Sequence, residues 1–156
     1  MSVDHRIAGV QNGSSEKRLQ TLRRVTNLYL VDSQQLNDEQ IAVFDEVLSH
    51  LIVRMESKAL VELSERLAPV NNAPYEVIQS LARHDEIAVS GPVLSMSERL
   101  SSSDLITIAK TKSQNHLLAI SKRRSLDEDV TDTLIERGNR QVISKLVENY
   151  GARFSE

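Results

Sequence analysis

Residues 102–150 read SSDLITIAKTKSQNHLLAISKRRSLDEDVTDTLIERGNRQVISKLVENY, and they contain one short two-helix unit written twice. Each copy has two apolar segments on either side of a polar break. The segments and breaks are, in order, Ser103–Ala109, Thr111–Ser113, His116–Arg123, Asp129–Ile135, Arg137–Asn139 and Gln141–Val147. The copies lie about 25 residues apart, a period typical of stacked repeats. Because a unit this small cannot bury its own apolar face, it must pack on its neighbours.

The composition favours a core made by helices. The chain has 156 residues, of which 40% are hydrophobic and only 3% are aromatic, with no Trp. A core of Leu, Ile, Val and Ala suits helix-on-helix packing, and five Gly and three Pro supply few turns for a many-stranded sheet. We therefore expect an all-α fold.

Cysteine and long apolar runs are both missing from the sequence. The lack of Cys excludes disulfides and thiolate chemistry and is typical of a reducing compartment. Met1–Arg6 lacks the apolar run of a signal peptide, and no stretch approaches the roughly 18 apolar residues of a membrane span. We expect a soluble, cytoplasmic protein without a membrane partner.

The net charge of −3 is unevenly distributed along the chain. Residues 1–30 carry +3, residues 31–100 carry −7 and residues 101–156 carry +1. A mildly acidic middle between more basic ends does not by itself indicate a nucleic-acid or membrane partner.

The helix signals predict one domain after a short lead-in. Residues 1–14 lack periodicity and predict a flexible N-terminal lead-in, with the first helix starting at Ser15. Residues 15–156 then form a single all-helical domain. Asn37 and Gln40 predict a capping box at the second helix. The pattern around Gly91–Pro92 is helical, so we expect a kink there or a junction between two short helices.

Several short motifs occur in a fixed order along the chain. They are Leu63–Ala68, Asn72–Pro74, Val77–Ile78, Leu81–Ala82, Pro92–Leu94, Asp104–Leu105, Ile108–Ala109, His116–Ile120, Leu134–Asn139 and Gly151–Ser155. This combination, from about Leu19 to the end, resembles the bacterial domain-of-unknown-function 2336 family. The resemblance implies a HEAT-like helical repeat domain and no catalytic motif.

Together these observations predict antiparallel helical pairs stacked as a short HEAT-like α-solenoid. Residues 15–70 are expected to form N-terminal helices and residues 73–150 to form HEAT-like repeats. Gly151–Glu156 looks like the opening of another unit, so we expect the chain to be part of a longer protein.

The titratable residues show no pattern that indicates catalysis or metal binding. The four histidines form no His-Glu-x-x-His motif, and no nucleophile elbow or phosphate-binding glycine loop occurs. His84 is expected to be solvated or to cap a helix, and His116 to make hydrogen bonds within the packing. We expect no cofactor, no metal and no enzymatic activity.

One set of basic residues stands above this background. The segment between Leu105 and Leu126 has no acidic residue. If successive units stack, helix ends align along one edge and form a candidate interaction ridge of Arg83, Lys110, Lys112, Lys122, Arg123, Arg124, Arg137 and Arg140. Such a ridge would suit phosphates or an acidic protein, whereas the simpler interpretation is a set of solvated helix-end charges.

The first helix offers a second candidate surface. Leu28–Val31 places apolar residues on more than one of its faces. Burial within the monomer is the simpler interpretation, but we favour a homodimer through the N-terminal helices. We therefore predict a non-enzymatic protein-interaction or scaffold module with an unknown protein partner. The alternative is a nucleic-acid-binding helical-repeat protein that uses the basic ridge.

Overall fold

The part of the chain that the structure describes is built from helices alone. A computed structural model describes the backbone of residues 3–155 and the side chains of residues 14–150. Within that range the helices are α1 (Val3–Asp32), α2 (Asp38–Ile52), α3 (Ser57–Leu67), α4 (Tyr75–Ala82), α5 (Ile87–Met96), α6 (Ser102–Thr111), α7 (Gln114–Ser121), α8 (Glu128–Arg137) and α9 (Arg140–Ser155), with a 3₁₀ turn at Ser33–Gln35. The predicted all-α class is confirmed.

Two helix starts follow directly from the local sequence. The side chain of Asn37 accepts from the backbone N–H of Gln40, and the Gln40 side chain accepts from the backbone N–H of Asn37, each at 2.9 Å. Ser101 and Asp104 make the same reciprocal pair at the start of α6. This capping box satisfies N–H groups that have no partner within the helix. The box predicted at Asn37 is therefore confirmed.

Helix α4 has a cap that comes from another helix. Its N-cap residue, Pro74, makes no side-chain capping bond. The buried carboxylate of Asp45 in α2 instead accepts from the backbone N–H of Glu76 at 2.9 Å and of Val77 at 3.0 Å. A carboxylate there also complements the positive end of the helix dipole. Helix α2 thus positions the start of α4.

The start of α1 differs from the prediction. The helix begins at Val3, so the predicted start at Ser15 is wrong. Asn12 and Gly13 indicated a loop, but isolated poor helix formers cost only about 1 kcal/mol each, too little to end a helix that propagates on both sides. The predicted flexibility of residues 1–14 stays a prediction.

Helix α5 continues through its proline. A single helix runs from Ile87 to Met96 with Pro92 inside it, so the predicted junction of two helices is not found. Proline removes one backbone hydrogen bond. Because Val89, Val93 and Leu94 are completely buried, tertiary packing compensates for that loss.

The helices pack in two rows. Helices α3, α5, α7 and α9 contact one another in succession, while α2 packs on α4 and α6 packs on α8. Helices α4 and α5, α6 and α7, and α8 and α9 also pack as pairs, and α1 packs on α2. Buried side chains from Leu22 in α1 to Leu146 in α9 form one hydrophobic cluster.

Both predicted repeat copies correspond to helical pairs, α6 with α7 and α8 with α9. The proposed division into residues 15–70 and 73–150 stays a prediction. The predicted opening of a further unit at Gly151–Glu156 lies outside the residues whose side chains are described.

Side chains of one pair bond to backbone carbonyls in the preceding pair. The bonded partners lie 26–29 residues apart, close to the period of the repeat. These bonds run from Arg99 to Ala73, from Arg123 to Leu94 and Ser97, and from Asn149 to Ser121. Because the acceptors lie at helix ends and turns, they would otherwise lack protein partners.

Replacing Gly138 by alanine is expected to destabilise the protein, because the α8–α9 turn has no room for a Cβ atom. An added Cβ would lie 2.6 Å from a methyl carbon of Val142 and would also meet the backbone carbonyl of Leu134. Overpacking of this kind costs about 1–3 kcal/mol. We expect a loss of that size in the free energy of unfolding, measured by urea denaturation.

The matched control is Gly91→Ala inside α5. A Cβ atom there would meet only the Ile87 side chain, at 3.9 Å. Alanine is favoured over glycine inside a helix by about 0.5–1 kcal/mol, so this variant should be neutral or stabilising. Equal losses from both substitutions would contradict a steric cause at Gly138.

Candidate interaction surfaces

The structure does not bring the eight basic residues of the predicted ridge together. One group lies in or beside the turns α4–α5, α6–α7 and α8–α9, and consists of Arg83, Lys110, Lys112, Arg137 and Arg140. The other group lies in the α7–α8 turn, and consists of Lys122, Arg123 and Arg124. The eight residues of α7, about 12 Å of helix, separate the groups. We call them the Lys112 edge and the Arg123 edge.

Two cations of the Lys112 edge bind neighbouring turns. Lys112 donates to the Asp85 carboxylate at 2.7 Å, and this hydrogen bond holds the pKa of Asp85 below its ordinary value. Arg137 donates to the backbone carbonyl of Ala109 at 2.8 Å, at the C-terminal end of α6. Both side chains therefore join one helical pair to another.

Arg83 belongs to a polar cluster between α4 and α6. It hydrogen-bonds Gln79, and its guanidinium lies 3.6 Å from the Asp104 carboxylate, which also accepts from Gln79 at 2.9 Å. Burial alone would raise the pKa of Asp104. Hydrogen bonds from Ser101 and Gln79, with the charge of Arg83, hold it below its ordinary value.

Arg123 clamps the end of α5. Its two terminal nitrogens donate to the backbone carbonyls of Leu94 and Ser97, each at 2.6 Å. Both acceptor residues are completely buried. Burial lowers the pKa of the guanidinium, while the charge of Glu98 opposes the shift. The polar end of Arg123 is thus occupied inside the protein.

The other members of the two edges are exposed to solvent. Lys110 and Arg140 are exposed on the Lys112 edge, and Lys122 and Arg124 are exposed on the Arg123 edge. Arg137 is exposed as well, although it donates to Ala109. The exposed cations therefore form two separate groups rather than one continuous basic ridge.

His116 is buried in the packing, and His84 makes a hydrogen bond within the α4–α5 turn. His116 is 1% exposed, with its Nε2 atom 2.8 Å from the His84 carbonyl oxygen and its Nδ1 atom 2.7 Å from the Ser113 hydroxyl. Because a carbonyl only accepts, Nε2 carries a proton and donates it to this bond. The His84 ring accepts from the backbone N–H of Glu86 at 3.1 Å. The packing role predicted for His116 is confirmed, whereas the solvated or capping role of His84 stays a prediction.

The first exposed apolar surface lies on α1 and α2, which pack against each other. Leu28 is 60% exposed and Val31 78% exposed on α1, while Val43 is 61% and Val47 41% exposed on α2. Tyr29, between the first two, is completely buried. We call these four aliphatic residues the α1–α2 face. The sequence pattern indicated its α1 half but not its α2 half.

The second exposed apolar surface lies on α9 and was missed in the sequence. A shallow groove on this helix is lined by Arg140, Ile143, Ser144, Val147 and Glu148. We call it the α9 groove. Val147 is 65% exposed, and Ile135 of the neighbouring helix α8 is 57% exposed. No signal in the sequence indicated it, because the α7 residues equivalent to Ile143 and Val147 are known to be buried only from the structure.

These helical pairs and their linking side chains can be compared with known families. Residues 89–156 match DUF2336, described as an uncharacterised protein conserved in bacteria. The resemblance is thereby confirmed for the segment from α5 onward, while the motifs before residue 89 lie outside the match. No curated protein and no solved structure gives a significant match to the chain.

The DUF2336 segment includes the Arg123 edge and the α9 groove. The α1–α2 face lies outside the segment. The two apolar surfaces therefore belong to different parts of the chain, one within the family match and one before it.

Two kinds of feature are absent from the described residues. No group of three or more His, Asp or Glu residues among them could hold a metal ion. None of the described helices is both long enough and apolar enough to cross a membrane.

Proposed function

We propose that the protein is a non-enzymatic protein–protein interaction or scaffold module. The observation that supports this function best is the α1–α2 face, whose four aliphatic side chains are between 41% and 78% exposed. Large exposed apolar patches mark interaction sites in soluble proteins, and these four side chains are exposed on two helices that pack against each other. The partner that suits it is a protein with an apolar surface of its own, such as an amphipathic helix.

The proposed architecture is a short HEAT-like α-solenoid. Successive contacts along α3, α5, α7 and α9, with bonds between turns 26–29 residues apart, support it. In a solenoid each unit contacts only its neighbours, and the stack presents an extended surface to partners. Side-chain clamps such as Arg123 would keep that surface rigid, which lowers the entropic cost of binding.

The alternative is a nucleic-acid binder that uses the basic edges. The exposed cations Lys110 and Arg140, at neighbouring turns of one edge, favour it. Against it, Lys112, Arg123 and Arg137 already bind acceptors within the protein. A site with few phosphate contacts would bind weakly and show a shallow salt dependence.

The test compares two double variants in a pull-down from native lysate. Leu28→Glu with Val31→Glu places carboxylates on the α1–α2 face, where they cost little folding stability because both positions are exposed. Lys110→Glu with Lys122→Glu reverses one exposed cation on each edge. Retained proteins are identified by mass spectrometry after nuclease treatment at two salt concentrations, and are then rebound in purified form.

We expect a protein that the wild type and the lysine variant retain at both salt concentrations, and that the Leu28/Val31 variant loses. Retention that nuclease removes, or that only the lysine variant loses, would favour the nucleic-acid alternative. If the wild type retains no protein that rebinds after purification, the proposed function is wrong.

A further inference from the structure

We propose that two copies of this chain associate through antiparallel pairing of their α9 helices along the α9 groove. This interface is separate from the α1–α2 face on which the proposed function rests. The predicted homodimer through the N-terminal helices would use that other face, so experiment can distinguish the two.

The α9 groove occupies a position that is covered in the preceding unit. The two helices can be compared position by position if their cap residues, Ser113 of α7 and Asn139 of α9, are matched. Val147 of α9 then corresponds to Ser121 of α7. Ser121 is completely buried in α7, which packs between α5 and α9, whereas Val147 is 65% exposed. Ile143 corresponds in the same way to the completely buried Leu117.

This comparison identifies the groove as a stacking surface. A face of a helical stack that stays in contact with water is usually polar, which keeps the protein soluble. Exposed Val147 and the half-buried Ile143 depart from that rule. A second helix laid on α9 would cover these side chains much as α9 covers α7.

The charges in the groove select a second copy as that helix. Arg140, Ser144 and Glu148 follow one another at four-residue steps, so they lie along one stripe of α9. In an antiparallel pair with its two-fold axis at Ser144, Arg140 of each copy lies opposite Glu148 of the other. The symmetry forms this ion pair twice, and the small Ser144 side chain allows the helices to approach closely at the crossing.

A neighbouring lysine does not prevent this pairing. Lys145 lies 3.6 Å from the Glu148 carboxylate within α9, yet the Glu148 side chain is 70% exposed. A carboxylate has two oxygens and accepts more than one donor. Glu148 can therefore bind Arg140 of the second copy and keep its contact with Lys145.

The affinity is expected to be modest. A seam formed mainly by one helix from each copy is smaller than a standard protein interface, which places the dissociation constant in the micromolar range. Exposed ion pairs weaken as salt is added, so the dimer should dissociate partly at high ionic strength.

The experiment is sedimentation equilibrium of the full chain with charge-swap variants. Arg140→Glu alone or Glu148→Arg alone places like charges opposite each other twice, and each should raise the dissociation constant about tenfold or more. The double variant Arg140→Glu with Glu148→Arg restores opposite charges and should return the constant to within about threefold of the wild type. Thermal melting monitored by circular dichroism verifies that each variant is folded.

The matched control is Leu28→Glu with Val31→Glu, which should leave the dimer intact. A wild type that stays monomeric up to high micromolar concentration would overturn the proposal. A dimer that this control abolishes, while the Arg140 and Glu148 variants preserve it, would also overturn it and support the N-terminal homodimer. The proposal would also be overturned if the double variant Arg140→Glu with Glu148→Arg folds but remains monomeric while the wild type dimerises.

Discussion

Replacing Tyr29 by alanine is expected to lower the free energy of unfolding by about 3–5 kcal/mol, the usual cost of removing a large buried aromatic side chain. Tyr29 is completely buried in α1, and its ring packs edge-to-face on Phe44 of α2 with ring centroids 5.4 Å apart. Its hydroxyl donates to the backbone carbonyl of Asn72 at 2.5 Å. One side chain thus attaches α1 to α2 and to the α3–α4 turn.

Tyr29→Phe separates the ring from the hydroxyl. It keeps the packing on Phe44 but leaves the Asn72 carbonyl without this donor, so the expected loss is about 1–2 kcal/mol. Both variants are measured by urea denaturation at pH 7. If Tyr29→Ala costs no more than Tyr29→Phe, the ring does not hold α1 in place.

The Tyr29 hydroxyl also makes the free energy of unfolding depend on pH. Burial raises the pKa of Tyr29 to about 12; the charge of Arg99 opposes the shift and that of Asp45 adds to it. In the unfolded chain the phenol ionises near its ordinary value of about 10. Its contribution to stability is therefore complete below that value and is lost as the pH rises toward 12. The stability gap between the wild type and Tyr29→Phe should narrow above about pH 10.

Replacing Arg123 by methionine is expected to lower the free energy of unfolding by about 2–4 kcal/mol, although arginine side chains are usually exposed. The substitution removes the donors to Leu94 and Ser97, whose carbonyls lie at the C-terminal end of α5 among completely buried residues. Methionine retains most of the aliphatic packing of arginine. The loss in the free energy of unfolding therefore measures the cost of leaving the Leu94 and Ser97 carbonyls without a donor. Urea denaturation measures it directly.

The neighbouring Lys122→Met is the control. Lys122 is exposed at the end of α7, so this change should alter stability by less than about 0.5 kcal/mol. Equal effects of the two substitutions would show that removal of a positive charge, rather than loss of the clamp, determines stability. A binding defect in an Arg123 variant would need a folding control before it could be assigned to the surface.

The sequence predicted much of the helical framework. Asn37 with Gln40 marked the start of α2, and the segments of the repeat copies correspond to α6–α9. Periodicity and capping are local properties, set by hydrogen bonds between residues three or four positions apart. The predicted start of α1 at Ser15 was wrong. The loop signals at Asn12 and Gly13 are weak, and a long helix continues through them because helix formation is cooperative.

The candidate site was predicted less well than the framework. The sequence showed which segment is rich in cations. The lengths and packing of the helices place these cations on two separate edges, and Lys112 binds Asp85. The aligned repeat copies do not by themselves indicate the α9 groove, although Val147 stands where Ser121 is buried. That comparison becomes meaningful only when burial in the first copy is known.

The sequence by itself determined the helical class, the two-helix repeat and the caps at Asn37 and Ser101, because each depends on residues close together in the chain. Only the tertiary structure decided that Asp45 caps α4 and that Arg123 clamps α5. The bonded residues in those contacts lie 26–32 residues apart, and whether a charge meets a partner or solvent depends on how whole helices pack.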